Sequence, residues 1–491
     1  MTLDSTNKQA IFNDRTFLWF AAAFLCLFFA SKSLGLTLGY ALDDYATLAT
    51  PSGGMQGFLL SQGRFTFALI QTAMDMTGLK QPELAGLGFF MSAGGLLLVG
   101  WLTLSGWLQK DRMMAAAIGA ILGAHPFFTE YVTFRQSLFP MGICFALVAS
   151  AIYLLRQAVP ATTGRLVAAA SVAALASGGN QITMALFCIA VLGIALRRHA
   201  ALAPARALLF ALRDAAIAGA LASVFYVLIF ALTKYLLAFS ADARMSTLSF
   251  AQLGGRIHDV AMLLKTIFNG KHPLIGKLSA IGSGIALIVL AVRVSAKPEP
   301  WLRVLAAVLV IAVGSILALL PTAVSGTWWP MPRTLIALPF AIALGTAILA
   351  HDASRAQVRV ASCALLLSVL VLSGKSSSLL LNQQRLNRWD MELAREITLK
   401  IAESRQIDAS TPIVIHRARL WHQVGEGMSI GDANLSALSV GWAVDALFEE
   451  ATGRRLQITQ AAEGDKACAD APAFPSAGSI IEADKTINVC L

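Results

Sequence analysis

Charged residues are scarce in this chain of 491 residues: Asp, Glu, Lys and Arg together make up 13% of it, whereas hydrophobic residues make up 57%. Soluble domains carry about 25% charged residues, so the composition excludes an ordinary soluble protein and indicates one embedded in a membrane. The net charge of +10 does not indicate a nucleic-acid partner. The basic residues lie mainly in short loops between apolar runs, where they set membrane topology.

Cysteine is also rare, with six residues in the chain. Four lie inside apolar runs without the spacing of metal ligands and are interpreted as small core residues: Cys26, Cys144, Cys188 and Cys363. The other two, Cys468 and Cys490, lie in the polar tail. They are far enough apart to close a disulfide loop worth about 3 kcal/mol, provided that the tail is exported. Two unpaired thiols are the alternative.

The sequence also lacks a cleavable signal peptide, an internal repeat and a low-complexity tract. No convincing small-residue cleavage site follows the first apolar run, which predicts an uncleaved first span. Runs near the roughly 20 apolar residues that cross a bilayer recur down to about Leu381. We predict about eleven spans, over residues 17–36, 84–108, 113–128, 137–155, 166–177, 182–196, 215–238, 274–292, 304–324, 334–350 and 360–381. The short fifth and sixth could instead form a re-entrant pair.

Every second connection between the predicted spans is rich in Lys and Arg, and this pattern predicts a cytoplasmic N-terminus. The basic connections on the predicted inner side contain Lys110, Arg112, Arg156, Arg165, Arg197, Arg198, Arg206, Arg213, Arg293, Lys297, Arg303, Arg355 and Arg359. The loop over residues 240–277 breaks this rule, because it is basic although it lies on the predicted outer side. A rule-breaking basic loop indicates an anionic ligand. With eleven spans, the C-terminal tail faces outside.

These observations predict an all-α polytopic membrane bundle over residues 1–381, with a small extracytoplasmic α/β domain over residues 382–491. Residues 39–83 form an outer segment, and its part 58–76 reads as one amphipathic helix lying along the membrane. In the tail we expect helices over 387–404 and 435–451. Strands are expected over 412–416, 479–482 and 486–491.

An adjacent pair of acids, Asp43 and Asp44, follows the first span. Carboxylates are costly near lipid and therefore indicate function. A carboxylate near the membrane surface can act as general base toward an acceptor hydroxyl. Asp44 is favoured as the base, with Asp43 orienting it or binding a divalent cation such as Mg or Mn. The structural alternative is that the pair caps a helix or forms an ion pair with Arg64.

Basic residues on the predicted outer side could bind a lipid phosphate, and Arg suits this because its planar fork binds phosphate oxygens in pairs. The candidates are Arg64, Arg135, Arg256, Lys265, Lys271 and Arg333. The alternative for each is an anchor to lipid headgroups. Sugar or acceptor contacts are predicted for His125, Glu130, Tyr131, Trp328 and Trp329. The two tryptophans equally fit an aromatic belt at the interface.

Several short motifs carry a family resemblance. Asp-Asp-Tyr followed by Gly-Arg-Phe within residues 40–65, the run at 124–136, the run at 329–333 and the run at 382–390 resemble the type II O-antigen glucosyltransferases of bacteria. That family resembles the wider GT-C membrane glycosyltransferases, which place catalytic acids in the first outer loop. The resemblance implies transfer of a hexose, with glucose favoured, from undecaprenyl phosphate. The acceptor would be a surface polysaccharide such as O-antigen, at the periplasmic face of the inner membrane.

Two other classes remain open from the residues alone. A transporter or flippase of lipid-linked sugars would carry charges or broken helices near the middle of the membrane, whereas the acids here cluster at one rim. A glycan polymerase or ligase would rely on a large outer loop between later spans, and the loop at 240–277 is modest.

Overall fold

The computed structural model describes residues 15–50, 54–108, 111–156, 163–200, 202, 204–242, 245–246, 248–292, 300–404, 411–416, 435–462, 465–483 and 485–491. Four basic residues that enter the topology prediction or its rule-breaking loop lie outside the described residues: Lys110, Arg244, Arg293 and Lys297.

Most of the described chain is helical. The first ten helices are α1 (Arg15–Lys32), α2 (Leu42–Ala49), α3 (Gly54–Ser61), α4 (Phe65–Thr77), α5 (Ala85–Leu108), α6 (Arg112–Ala124), α7 (Thr129–Thr133), α8 (Arg135–Arg156), α9 (Thr163–Ser177) and α10 (Ile182–Arg198). The other seven are α11 (Pro204–Leu237), α12 (Leu253–Phe268), α13 (Lys277–Val292), α14 (Pro300–Ala323), α15 (Ala337–Ala350), α16 (Arg355–Ser404) and α17 (Gly441–Thr452).

Each predicted span overlaps a helix, and the protein is a membrane protein. Within the described ranges, seven helices are long and apolar enough to cross a bilayer: Arg15–Thr37, Gln81–Leu108, Arg135–Arg156, Ala205–Leu237, Arg303–Ala323, Pro332–Ala350 and Arg355–Glu403. Two shorter apolar helices are Thr163–Ser177 and Lys277–Val292. The number of eleven spans and the direction in which they cross therefore stay predictions.

Small residues let the first helices of the bundle approach closely. A Cβ atom added at Gly119 of α6 would lie 2.4 Å from the Phe20 carbonyl oxygen, and one at Gly123 would lie 2.3 Å from that of Phe24. Both distances are shorter than a van der Waals contact. These two glycines, four residues apart, thus form the small-residue face on which α1 packs, an arrangement common between helices in membranes.

The segment between α1 and α5 differs from its predicted form. The single helix expected over residues 58–76 is broken into α3 and α4 at Gly63, whose φ is +72°. Glycine adopts this left-handed conformation without steric cost. Arg64 occupies the N-cap position of α4, so the break places a cation at the start of a helix.

The C-terminal part contains a four-stranded sheet in the order β2-β1-β4-β3, formed by β1 (Pro412–His416), β2 (Gln457–Gln460), β3 (Ile480–Ala483) and β4 (Thr486–Cys490). β1 is parallel to β2 and β4, and β3 is antiparallel to β4. Cys468 and Cys490 form a disulfide. A small C-terminal sheet is thus present, with one more strand, β2, than expected. α16 runs without interruption through residue 381, where the sequence places the boundary.

Candidate functional site

The site is built around α7, a five-residue helix in the connection between α6 and α8. His125 leads into it, and its Nδ1 accepts a hydrogen bond from the Phe127 amide at 3.4 Å. Pro126 then begins a 3₁₀ turn. The side chains of Glu130 and Tyr131, together with the start of α8, contact three separate parts of the chain. α7 therefore brings distant segments to one place.

Glu130 binds Arg333. The Glu130 carboxylate is fully buried and accepts the Arg333 backbone amide at 2.8 Å, while the Arg333 guanidinium forms an ion pair with it. The guanidinium also lies 4.9 Å above the Phe134 ring. A buried carboxylate requires such pairing, since its desolvation is costly. Glu130, predicted to contact sugar, instead holds Arg333 in position.

Tyr131 is a buried residue of α7 with a polar partner. Its hydroxyl accepts a hydrogen bond from the Asn180 side chain at 2.6 Å. Burial raises the pKa of Tyr131, and the positive charges of Arg333 and Arg64 act in the opposite direction. Two arginines that are 269 positions apart in the sequence thus both act electrostatically on this residue.

Asp44 has a structural setting. Its carboxylate is fully buried and accepts three backbone amides: those of Ala41 at 2.9 Å, Arg135 at 3.2 Å and Gln136 at 2.8 Å. Burial raises the pKa of Asp44 to about 7, although these hydrogen bonds act against the shift. The carboxylate fastens the start of α2 to the start of α8 and is turned away from solvent.

Asp43 lies on a different face of α2 and is partly exposed. Its backbone carbonyl accepts the Thr47 hydroxyl at 3.1 Å, and that hydroxyl also contacts the Gln136 side chain. The negative charge of Asp43 contributes to the raised pKa of Asp44, so the two acids are close but differ in access. Of the pair, Asp43 is the one that is partly exposed, whereas Asp44 is buried.

Arg135 lies beside Asp44, at the first position of α8. Its guanidinium donates to the Leu38 carbonyl at 2.9 Å and lies 5.4 Å from the centre of the Tyr40 ring. Its Nε is buried and has no hydrogen-bond partner within the described part of the chain. Arg135 is therefore fixed in place with one donor still available.

The remaining basic candidates are arranged differently. The Arg256 guanidinium donates to four carbonyls at the end of α14, those of Thr322, Ala323, Ser325 and Gly326, at 2.9 to 3.4 Å. It also stacks on Trp328 at 5.1 Å. These bonds occupy the side chain, so we remove Arg256 from the candidate phosphate ligands. Lys265 and Lys271 are exposed, as is Trp329 at 46%.

A polar network that the sequence did not predict borders Arg64. The Gln181 side chain donates to the Gln62 carbonyl and to the Tyr226 hydroxyl, each at 3.0 Å. The Tyr226 hydroxyl donates in turn to the Gly63 carbonyl at 3.3 Å. Gln181 and Asn180 lie in the short connection between the fifth and sixth predicted spans. A break with amide side chains facing a glycine turn is the signal that could have identified the network.

An apolar cavity of about 150 Å³ lies next to the turn that leads into α7. Its walls come from α6 and from α12 to α16, and they include His125, Phe127, Ile275, Leu338, Ile342 and Leu365. The 3₁₀ turns Pro126–Phe128 and Pro332–Leu335 pack against each other at one end, so this end adjoins Glu130 and Arg333. From Leu338 to Thr346 the cavity extends roughly 12 Å along α15.

In the part of the chain that the structure describes, no group of three or more His, Cys, Asp or Glu side chains could hold a metal ion. Asp44, one of the two residues considered for this, directs its oxygens at backbone amides.

Apolar helices long enough to cross a bilayer define a membrane protein. Residues 33–350 match the family described as Glucosyl transferase GtrII, and the chain belongs to this family. It is thus a glycosyltransferase, and the resemblance predicted from the motifs is confirmed. No curated protein and no solved structure matches the chain. All candidate site residues except the two cysteines lie inside the matched region.

Proposed function

We propose that this glucosyltransferase moves glucose from undecaprenyl phosphate to a surface polysaccharide such as O-antigen, at the periplasmic face of the bacterial inner membrane. The observation that carries the proposal is the Arg333 guanidinium, which the buried Glu130 carboxylate holds in place close to an apolar cavity. A lipid-linked sugar phosphate has both chemistries, an anion and an isoprenoid chain.

We assign the general base to Asp43 rather than to Asp44. A base must reach the proton that it removes, and the Asp44 carboxylate is buried among three backbone amides. Asp43 is partly exposed on α2. In this assignment Asp44 positions its neighbour by fixing α2 to α8.

Arg64, Arg333 and Arg135 are the proposed ligands of the donor phosphate. Arg333 is oriented by the buried Glu130 carboxylate, and Arg135 retains a buried donor at Nε. Preformed cations stabilise negative charge as it develops on a leaving group, which is commonly the largest catalytic contribution.

The apolar cavity is the proposed site of the first isoprene units of the donor. Ligand sites of this type are mostly apolar, with a few polar groups at one end. Here the polar end adjoins Arg333 through the packed turns at 126–128 and 332–335. The isoprenoid chain then continues into lipid, since the cavity walls are helices of the membrane bundle.

The transfer step follows from these roles. The Asp43 carboxylate removes the proton of an acceptor hydroxyl, and that oxygen forms a bond to the anomeric carbon of glucose. The bond between the anomeric carbon and the phosphate oxygen breaks, and its electron pair leaves with undecaprenyl phosphate, which the arginines hold. Asp43 releases the proton to solvent afterwards.

The test is reconstitution with glucosyl phosphoryl undecaprenol and an O-polysaccharide acceptor. Asp43→Asn is expected to lower kcat by about 100- to 10,000-fold, with insertion and thermal stability unchanged. Glu83→Gln, an exposed acid in the same segment, is the matched control and should retain activity. Near-normal transfer by Asp43→Asn would refute the assigned base. Transfer from nucleotide-linked glucose but not from the lipid donor would refute the donor.

A further inference from the structure

The helix that carries Asp43 depends on its surroundings for order. α2 has eight residues, and isolated helices shorter than about 12 to 15 residues are marginal in water. Its conformation must therefore come from packing. Leu42 and Tyr45, on the side of α2 away from Asp43, are both buried, so what they contact decides how firmly the acid is held.

Leu42 and Tyr45 do not belong to the core of the bundle. They lie in a second apolar cluster, which is formed by the distal part of α16 and by the sheet and helix of the C-terminal domain. The cluster includes Ala394, Ile397, Ile413, Ile415, Val444, Leu447 and Val489. α17 packs directly on α2. One side of the acid-bearing helix is thus part of the core of the C-terminal domain.

A short stretch of α16, residues 387–391, contacts both α2 and this domain. The Asn387 side chain donates to the Tyr40 carbonyl, just before α2, at 2.6 Å, and the Tyr45 hydroxyl lies 3.7 Å from the Met391 Sδ. Between them, the buried Asp390 carboxylate accepts the Ser436 hydroxyl at 2.5 Å and the Ala437 amide at 2.9 Å. Asp390 thereby fixes the domain to the same stretch of α16 that holds α2.

A second link lies further along the helix. The Arg395 Nε donates to the Ala451 carbonyl at 2.8 Å, which joins α16 to the end of α17. The family match ends at residue 350, so α16, the domain and both links lie outside the matched region.

We infer that the C-terminal domain is a positioning element of the transfer site. It is bound to α16 through Asp390 and packs against α2, and it thereby fixes the position of the Asp43 carboxylate. Only the role given to Asp43 rests on the proposed function. The mechanical link itself stands on the contacts above. None of the domain residues is assigned a contact with substrate.

The test compares Asp390→Ala with Asp470→Ala in the full-length protein. Asp470 is an exposed acid of the same domain and serves as the matched control. Hydrogen exchange of the α2 amides should become about tenfold faster or more in Asp390→Ala, because charge-assisted hydrogen bonds are lost, and should not change in Asp470→Ala. The kcat for transfer should fall about tenfold or more, while the stoichiometry and Kd of donor binding change less than twofold.

A second pair of variants covers the case in which Asp390→Ala fails to fold. Tyr45→Phe keeps the buried ring and should retain wild-type kcat and exchange, whereas Tyr45→Ala should show fast exchange and low kcat with normal donor binding. Unchanged α2 exchange in Asp390→Ala and Tyr45→Ala would overturn the inference, as would faster exchange with unchanged kcat. If wild-type protein transfers nothing from the lipid donor, the proposed function fails, while the exchange measurement still decides the link.

Discussion

Two basic regions lie near one end of the bundle, and they differ in what their charges face. Around α7, the Arg333 guanidinium forms an ion pair with the buried Glu130 carboxylate, and the charges of Arg333 and Arg64 both act on Tyr131. In the segment before α13, Arg256 is bonded to backbone carbonyls, and Lys265 and Lys271 face solvent. The comparison teaches that the number of basic residues in a loop is a poor guide to an anion site. The proposed phosphate site is instead the region in which the basic side chains are held in place by buried partners.

The largest effect on transfer is expected from a substitution of Arg333, in the α7 region. Arg333→Gln should lower kcat/KM for the lipid donor by roughly 100- to 1,000-fold, the usual effect of removing a donor that stabilises developing charge. It also leaves Glu130 buried without this partner, which costs about 3 kcal/mol or more of stability. Transfer assays with reconstituted protein and thermal unfolding in detergent measure the two effects.

A double variant separates catalysis from stability. Glu130→Gln combined with Arg333→Gln removes both charges of the buried pair, so the free energy of unfolding should recover while transfer stays low. If the double variant regains transfer together with stability, Arg333 is a structural residue and the α7 region loses its distinction from the other basic segment.

An effect of intermediate size is expected at Asp44, whose contribution to the free energy of unfolding should depend on pH. Its folded-state pKa is about 7, above the value near 3.9 of an unfolded chain. The folded state therefore holds the proton more tightly between these values, so the contribution of Asp44 to stability falls as the pH rises from about 4 to 7. Unfolding in detergent at pH 5 and pH 7.5 measures this slope.

The matched change for this prediction is Asp44→Asn. It should flatten the slope between pH 4 and 7, and it should cost about 1 to 3 kcal/mol because one backbone amide loses its acceptor. A pH slope that is the same in the variant and in the wild type would show that other groups cause it. In that case the buried carboxylate would not distinguish the α7 region.

The contrast also shows how far the sequence could predict the molecule. Apolar runs located the bundle helices, and the motifs identified the family, because both signals are local. The pairing of Glu130 with Arg333 joins residues about 200 positions apart, and neither composition nor spacing reports such a contact. The same holds for Asp44. Asp43 and Asp44 are adjacent residues of the same type, and the sequence does not show that only Asp44 accepts the backbone amides at the start of α8. Those hydrogen bonds bury Asp44, whereas Asp43 stays partly exposed.

The smallest effect is expected in the second region. Lys265→Gln and Lys271→Gln should each change kcat/KM for the lipid donor about fivefold or less, since an exposed Lys near an anionic surface contributes about 1 kcal/mol to membrane attraction. That attraction is screened by salt, so the residual effect should disappear as ionic strength rises. The measurement is transfer in vesicles with and without anionic lipid, at low and high salt. A salt-resistant loss as large as that of Arg333→Gln would place the phosphate at α12 and reverse the comparison.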